Sequence, residues 1–313
     1  MQLCLMIEGQ EGVSWDQWLA LARACEDHGI PALFRSDHYL NLDGRDVRRE
    51  ALDAWATLSA LAAVTNTLRL GTLVSPASFR HPSVLAKQVA TADQVSGGRV
   101  ELGLGTGWHQ REHEAYGFPF ASTQVRMDVL AEQLAVVVGS WGQEPFDFEG
   151  EHYRLQGLEA YPKPVQRPHP PVIMGGKAGP RAAALAARYA DEYNTAFPTI
   201  EQVRERREKI ARACQEAGRE PLPFSVMTGL LIGNDQSELH ERARRLGEKI
   251  GSDGDALLAE PPVGWIVGTL EQAAEQLRAL SEAGASRAMC QHLLHDDLDA
   301  VALVGERLAP LVA

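Results

Sequence analysis

The sequence is poor in the features that mark secreted, membrane-spanning and nucleic-acid-binding proteins. Its 313 residues include four cysteines, none at a paired spacing, so we expect neither a disulfide framework nor a zinc knuckle. No apolar run approaches the length of a membrane-spanning helix, and the first residues form no basic leader. The formal net charge of −12 argues against a nucleic-acid binder and against a membrane-surface binder. We therefore expect a cytoplasmic protein that binds neither nucleic acid nor membranes.

Buried strands and amphipathic helices alternate about eight times along the chain. The strands are predicted at 3–7, 30–34, 68–74, 99–104, 171–174, 191–195, 224–232 and 288–291. No break in composition divides the chain, so residues 1–313 are expected to form one domain. Eight such units in one domain favour an α/β fold of the (β/α)₈ TIM-barrel type over a doubly wound sheet.

Three segments are too long to be simple connections, and we interpret them as insertions in the barrel. The first (107–122) follows strand four. The second (142–171) lies between helix four and strand five, and a hairpin is one interpretation of it. The third (233–262) follows strand seven. Three capping boxes, which begin at Ser14, Thr199 and Thr269, mark helix starts.

Polar residues and glycines cluster at the predicted carboxyl ends of the strands, the face on which barrels of this type carry their active sites. This face collects Glu8, residues 35–38, Ser75, Pro76, residues 105–109, residues 175–177 and Thr195. His38 follows the second strand, and its imidazole titrates near neutral pH, so it is a candidate proton donor or acceptor. Asp37 beside it is the second candidate catalytic residue.

Two glycine-rich segments follow predicted strands. In the first, Gly103, Gly105 and Gly107 resemble a dinucleotide-binding loop, but the third glycine comes one residue early and Trp108 follows where a helix should pack closely. The second, Gly175-Gly-Lys-Ala-Gly-Pro180, offers free amides at a helix start, to which Lys177 and Arg181 would add positive charge. We interpret it as a phosphate-binding turn, with an ordinary tight turn as the alternative.

The insertion after strand four contains His109-Gln-Arg-Glu-His113, the H-x-x-E-H pattern of zinc peptidases. A zinc hydrolase built on His109, Glu112 and His113 is therefore an alternative function. No helix that would supply a third ligand follows, and the bare motif has a high false-positive rate, so we predict no metal site.

Several aromatic residues lie near this face, and they suit either an apolar substrate pocket or core packing. They are Trp108, Tyr116, Phe118, Phe120 and Trp265.

Six motifs in order along the chain resemble the bacterial luciferase-like flavin/deazaflavin oxidoreductase superfamily, most closely its coenzyme F420-dependent branch. They are Ser36-Asp-His-Tyr39; Gly71-Thr-Leu-Val-Ser-Pro76 with Arg80-His-Pro82; the segment 96–108; Glu112-His-Glu-Ala-Tyr-Gly117; Pro171-Val-Ile-Met-Gly-Gly176; and Ala186-Ala-Arg-Tyr-Ala-Asp191.

The resemblance implies a role for several residues. His38 would lie at the reactive face of the cofactor ring. Thr72 and Leu73 would form a non-prolyl cis peptide behind that ring. The residues expected beside the cofactor's side chain are Gly105, Thr106, Gly107 and Trp108, and those expected to hold its phosphate are Met174, Gly175, Gly176 and Gly179, next to Lys177.

The resemblance also implies an activity. It favours hydride transfer between F420 and a small, apolar or aromatic organic substrate; an FMN-dependent monooxygenase, served by a flavin reductase, is the first alternative. A flavin-binding protein without turnover is another. Homodimers are common in the superfamily, although no dimer surface can be identified in the sequence. The family's sugar-phosphate dehydrogenases have a glutamate where this chain has Trp108-His109, which counts against a sugar-phosphate substrate.

Overall fold

A computed structural model describes residues 1–42, 44 and 48–313. The remaining residues, 43 and 45–47, lie outside this description. In the part of the chain that is described, every helix is too short or too polar to cross a lipid bilayer.

Twelve strands occur in the described residues. In chain order they are β1 (Gln2–Ile7), β2 (Ala32–Arg35), β3 (Arg69–Thr72), β4 (Ser75–Pro76), β5 (Val100–Gly105), β6 (Phe146–Glu149), β7 (Arg154–Leu158), β8 (Val172–Gly175), β9 (Glu192–Ala196), β10 (Phe224–Gly233), β11 (Ile266–Thr269) and β12 (Arg287–Gln291).

The helices of the described residues are α1 (Trp15–Asp27), α2 (Ala54–Val64), α3 (Pro82–Ser96), α4 (Gln110–Tyr116), α5 (Thr123–Ser140), α6 (Pro180–Tyr189), α7 (Ile200–Glu216), α8 (Gln236–Ile250), α9 (Gly254–Ala259), α10 (Leu270–Glu282), α11 (Leu298–Ala302) and α12 (Ala309–Val312). A π-helical segment, Leu303–Leu308, joins the last two helices.

Eight parallel strands close into a barrel, which confirms the predicted TIM-barrel fold. Around the barrel the order is β1, β2, β3, β5, β8, β9, β10 and β12, and β12 pairs again with β1. The short strand β4 follows β3 in the chain and, like β3, pairs with β5. β11 lies outside the ring and pairs with the carboxyl end of β10. All eight predicted barrel strands are present, each within two residues of its predicted ends.

Helix starts are the local features that the sequence predicted best. The capping boxes at Ser14, Thr199 and Thr269 all form, each with a glutamine three residues later that bonds back to the cap. These hydrogen bonds connect residues only three apart, so the surrounding fold contributes little to them.

The three insertions contain regular structure. The first contains α4, the second contains the antiparallel hairpin β6–β7, and the third contains α8 and α9. The sequence interpretation missed α8 because most of its positions are polar. Only a narrow stripe that includes Leu239, Ala243 and Leu246 is buried.

Apolar side chains pack on both faces of the barrel wall, in two layers. The larger lies between the strands and the helices. The smaller fills the barrel's interior with Cys4, Met6, Ala32, Phe34, Leu73, Ile173 and Met289. All four cysteines are buried and unpaired, as expected.

Charged side chains close the amino end of the barrel. Glu101 is bonded to Arg69 at 2.5 Å and to Arg287 at 3.0 Å, and Arg287 also reaches Glu192 at 2.8 Å. The strands' carboxyl ends lie at the opposite end, on which barrels of this type carry their active sites.

Close packing between β3 and β5 requires Gly103. A Cβ there would lie 2.0 Å from the carbonyl oxygen of Thr72. We expect Gly103→Ala to lower the free energy of unfolding by about 1–3 kcal/mol, the usual cost of overpacking. Gly175→Ala on β8 is the matched control, because its Cβ would meet atoms no nearer than 3.7 Å. Chemical denaturation measures both variants, and equal losses would contradict this account.

Candidate functional site

Val74 forms the floor of the site at the carboxyl ends of β3, β5 and β8. A Cβ at Gly105 would lie 2.8 Å from the Val74 side chain, and one at Gly175 would lie 3.7 Å from it. The glycines therefore let the two neighbouring strands approach this half-buried side chain. Sequence reasoning missed Val74, because nothing local distinguishes it from a core valine.

The non-prolyl cis peptide joins Leu73 to Val74, one bond later than predicted. Thr72 is fully buried, and its hydroxyl donates to the carbonyl of Gly103 at 2.9 Å. Leu73 belongs to the apolar interior of the barrel. Of these three residues, Val74 is the one whose side chain is half-exposed at the site.

His38 lies in the loop after β2 and is bonded to Glu112 of α4. The distance from His38 Nδ1 to Glu112 Oε2 is 2.8 Å, and Glu112 is completely buried. The other carboxylate oxygen, Oε1, accepts the backbone N–H groups of Tyr39 and Leu40, the latter at 3.0 Å. One side chain of the insertion thus holds His38 and the two residues that follow it.

The two partners shift each other's pKa values. Burial alone would lower the pKa of His38, but the hydrogen bond and charge of Glu112, together with the charges of Glu8 and Asp37, raise it above its usual value. Burial would raise the pKa of Glu112, but its contacts with His38 and with the two amides lower it. Glu112 is therefore ionised at neutral pH, and His38 holds a proton to higher pH than a free imidazole.

Asp37, the other predicted catalytic residue, has different partners. Its buried carboxylate accepts from Arg80 at 2.5 Å and from the Ser75 hydroxyl at 2.5 Å. Arg80 also bonds to Asp53, which caps α2, and to the hydroxyl of Tyr39. These contacts brace the loop after β2, and a catalytic role for Asp37 stays a prediction.

The three residues of the H-x-x-E-H pattern do not converge on one point. Both ring nitrogens of His113 are engaged, one with the Ser78 hydroxyl at 2.6 Å and the other with the His109 carbonyl at 2.8 Å. Among the described residues, the group whose ligand-type atoms approach within 4.8 Å is instead His38, His109 and Glu112. Both oxygens of Glu112 already accept hydrogen bonds, one of them from His38, whereas Nδ1 of the His109 ring is buried without a hydrogen-bond partner in the described part of the chain.

Trp108 is the most exposed aromatic residue of the site, with 63% of its surface accessible. Its indole stacks on the ring of His109 at 5.2 Å and meets the edge of His38 at 5.7 Å. Burial lowers the pKa of His109, so this ring is neutral at physiological pH.

The other aromatic residues named from the sequence have packing partners. Tyr116 and Phe118 stack with Tyr39 and Phe79, Phe120 packs against His113, and Trp265 lies over Gly229. These four rings thus have packing partners, although Tyr116 is also half exposed, and Trp108 is the most exposed of the five.

The turn after β8 has an irregular backbone and leads directly into α6. Gly176 and Ala178 both have positive φ, at +147° and +51°, and the Ala178 N–H donates to the Tyr193 hydroxyl at 2.9 Å. α6 begins at Pro180, so the next amides have no partner within the helix. A Cβ at Gly179 would meet nothing within 4 Å.

The charges around this turn differ from those predicted. Lys177 is exposed, whereas Arg181 bonds to Asp128 of α5 and to the Gln124 carbonyl. Met174 is buried in the core, so its side chain does not line the turn.

A buried polar network extends the site across β1 and β12. Glu8 accepts from Gln10 at 2.8 Å and from Gln291 at 2.6 Å, and the Ser36 hydroxyl donates to Gln10. Sequence reasoning placed Glu8 and Ser36 on this face and missed Gln291 and Arg80, whose roles depend on partners distant in the chain.

Comparison with known proteins identifies one family and relatives within it. The model of a family described as luciferase-like monooxygenases matches residues 4–287. An FMNH₂-dependent dimethylsulfone monooxygenase from Pseudomonas putida is 31% identical over 233 residues, covering 73% of this chain and 62% of that protein. An F420-dependent hydroxymycolic acid dehydrogenase from Mycobacterium tuberculosis is 30% identical over 230 residues, covering 71% and 61%. The match thus spans less than two thirds of the length of either relative.

Among solved structures, an F420-dependent tetrahydromethanopterin reductase from Methanopyrus kandleri superposes with a TM-score of 0.80. The superposition covers 100% of both chains, at 19% sequence identity. A likeness at this identity supports the fold alone.

Removing the guanidinium of Arg80 would leave Asp37 buried without its charged partner. We expect Arg80→Met to lower the free energy of unfolding by about 3–5 kcal/mol, and Asp37→Asn in the same chain to restore part of the loss. Arg244→Met, which breaks the exposed pairs of Arg244 with Glu241 and Glu248, should leave the stability nearly unchanged. Denaturant titration measures all three, and an Arg80→Met protein as stable as the parent would contradict the bracing role.

Proposed function

Because this chain belongs to the luciferase-like monooxygenase family, we propose that it is an oxidoreductase that binds coenzyme F420 and transfers hydride between the deazaflavin and a small organic substrate. The observation that carries the proposal is the convergence, on one face of a barrel of this family, of His38, exposed Trp108 and the floor formed by Val74. These parts come from three separate segments of the chain.

The residues present fit a flavin-type cofactor. Val74, between the two glycines, offers an apolar support for a ring system. The open position at Gly179 and the first amides of α6 offer a binding place for a phosphate, near the exposed charge of Lys177. Gly105, Thr106 and Gly107 lie at the end of β5, on the segment that leads to Trp108, and Gly105 lies against the Val74 side chain.

The chain's own residues would supply the proton chemistry and the substrate surface. A deazaflavin, when bound, supplies low-potential hydride chemistry, and reduced FMN supplies chemistry with oxygen as well. His38 holds a proton beside this face and would exchange it with the substrate. The exposed indole of Trp108 favours an apolar or aromatic substrate.

FMN-dependent monooxygenation is the second candidate, and the dimethylsulfone monooxygenase relative favours it. The same floor and turn would serve FMN, which also carries a phosphate. This candidate requires a flavin reductase as a partner, whereas the F420 proposal does not.

Parallel titration of the protein with F420 and FMN tests the choice of cofactor. We expect F420 to quench the intrinsic tryptophan fluorescence with a Kd at least about tenfold below that for FMN, a difference of about 1.4 kcal/mol. Trp108→Phe should remove much of the signal, whereas Trp15→Phe, at an exposed residue of α1, should not. Tighter binding of FMN would favour the second candidate, and binding of neither would refute both.

A substitution at His38 tests the proton transfer separately from binding. We expect His38→Asn to reduce turnover about 10²-fold or more, the usual contribution of a general acid or base, with the cofactor Kd unchanged. The measurement is steady-state turnover with the cofactor that binds, beside the binding titration. Full turnover in this variant would show that His38 does not carry the proton.

A further inference from the structure

His38 has one carboxylate beside it in the sequence and a different one beside it in space. Asp37 is bound by Arg80 and Ser75, whereas the imidazole Nδ1 of His38 lies 2.8 Å from Glu112, 74 residues along the chain. Glu112 also holds the loop through the amides of Tyr39 and Leu40.

The chemistry of these contacts fixes the direction of each hydrogen bond. Two backbone N–H groups donate to Oε1 of Glu112, and an ionised carboxylate can only accept. The bond between His38 and Oε2 therefore requires a proton on Nδ1 of His38. The second ring nitrogen, Nε2, is then the one left to lose or gain a proton.

We propose that Glu112 is a positioning residue that fixes His38 in the tautomer protonated on Nδ1, so that Nε2 is the nitrogen that exchanges a proton at the site. The role of this exchange in turnover rests on the proposed function. The tautomer itself does not, because it follows from contacts within the chain.

The three carboxylates around His38 all raise its pKa. Glu112 faces it from α4, Glu8 faces it from the end of β1, and Asp37 lies in its own loop. The ring of His109, which precedes α4, also faces His38 but is neutral. The charge of Asp37 is offset by Arg80. Glu112 is thus the carboxylate in direct contact with the ring, and its removal should have the largest effect on the protonation of His38.

Glu112→Gln gives a test that a merely structural role would not pass. The amide oxygen of the glutamine can replace Oε1 as acceptor for Tyr39 and Leu40, which leaves its NH₂ group facing His38 Nδ1. Because an NH₂ group donates, the neutral ring should change to the tautomer protonated on Nε2. The apparent pKa of His38 should also fall by about 1 pH unit or more, since an opposite charge has been lost.

Long-range ¹H–¹⁵N correlation spectra of protein labelled in histidine measure both quantities, without any cofactor. His38→Asn identifies the signal. We expect Nδ1–H and a pKa above about 6.5 in the parent protein, and Nε2–H with a lower pKa in Glu112→Gln. Asp37→Asn should keep the Nδ1–H tautomer.

Glu132→Gln is the matched control, since Glu132 also accepts backbone N–H groups, those of Glu151, His152 and Tyr153. It should leave the His38 signal unchanged.

An Nε2–H tautomer in the parent protein, or an unchanged tautomer in Glu112→Gln, would overturn the proposal. Should Glu112→Gln fail to fold, the tautomer of the parent protein decides alone. Failure to bind F420 or FMN would refute the proposed function and leave this result standing.

Discussion

The pairing of Arg80 with Asp37 is the interaction on which the architecture of the site depends. The guanidinium joins Asp37 to Asp53 and to the hydroxyl of Tyr39, so it ties the loop after β2 to the start of α2. Burial of the cation would lower its pKa, but the charge of Asp37, followed by that of Asp53, raises it, so Arg80 stays charged. With the loop held in this way, Glu112 can reach His38 and the amides that follow it.

A second constraint is steric. The strands around the floor approach so closely that Gly103 and Gly105 leave no room for a side chain, while Gly175 leaves just enough. Glycine at these positions therefore reflects the shape of the barrel's upper end and not only a need for flexibility. Close packing also makes the floor rigid, which suits a surface that must support a planar ring.

Positive charge at the site is local, since the whole chain carries a net charge of −12. Arg80 is paired with Asp37 and Asp53, which leaves His38 and Lys177 to supply positive charge at the carboxyl ends of the strands. At His38 that charge is sustained by a buried carboxylate, and at the turn after β8 it is supplemented by free amides at the start of α6. Under the proposed function, His38 would exchange a proton and the turn after β8 would hold an anionic group.

Sequence by itself determined what depends on neighbours in the chain. The three capping boxes, the eight barrel strands and the turn at Gly176 follow from hydrogen bonds, side-chain periodicity and glycine conformations that act over a few residues. The family motifs also placed His38 at the active face. The narrow apolar stripe of α8 was the main exception, because its polar positions hid the helix.

Tertiary structure alone decided which groups meet. Asp37 and His38 are adjacent in sequence, yet one bonds to Arg80 and the other to Glu112, because successive residues of the loop face opposite sides. His113 shares a helix with Glu112 but turns to Ser78. Contacts between residues tens of positions apart depend on how the insertion packs over the barrel, and no local pattern specifies that packing.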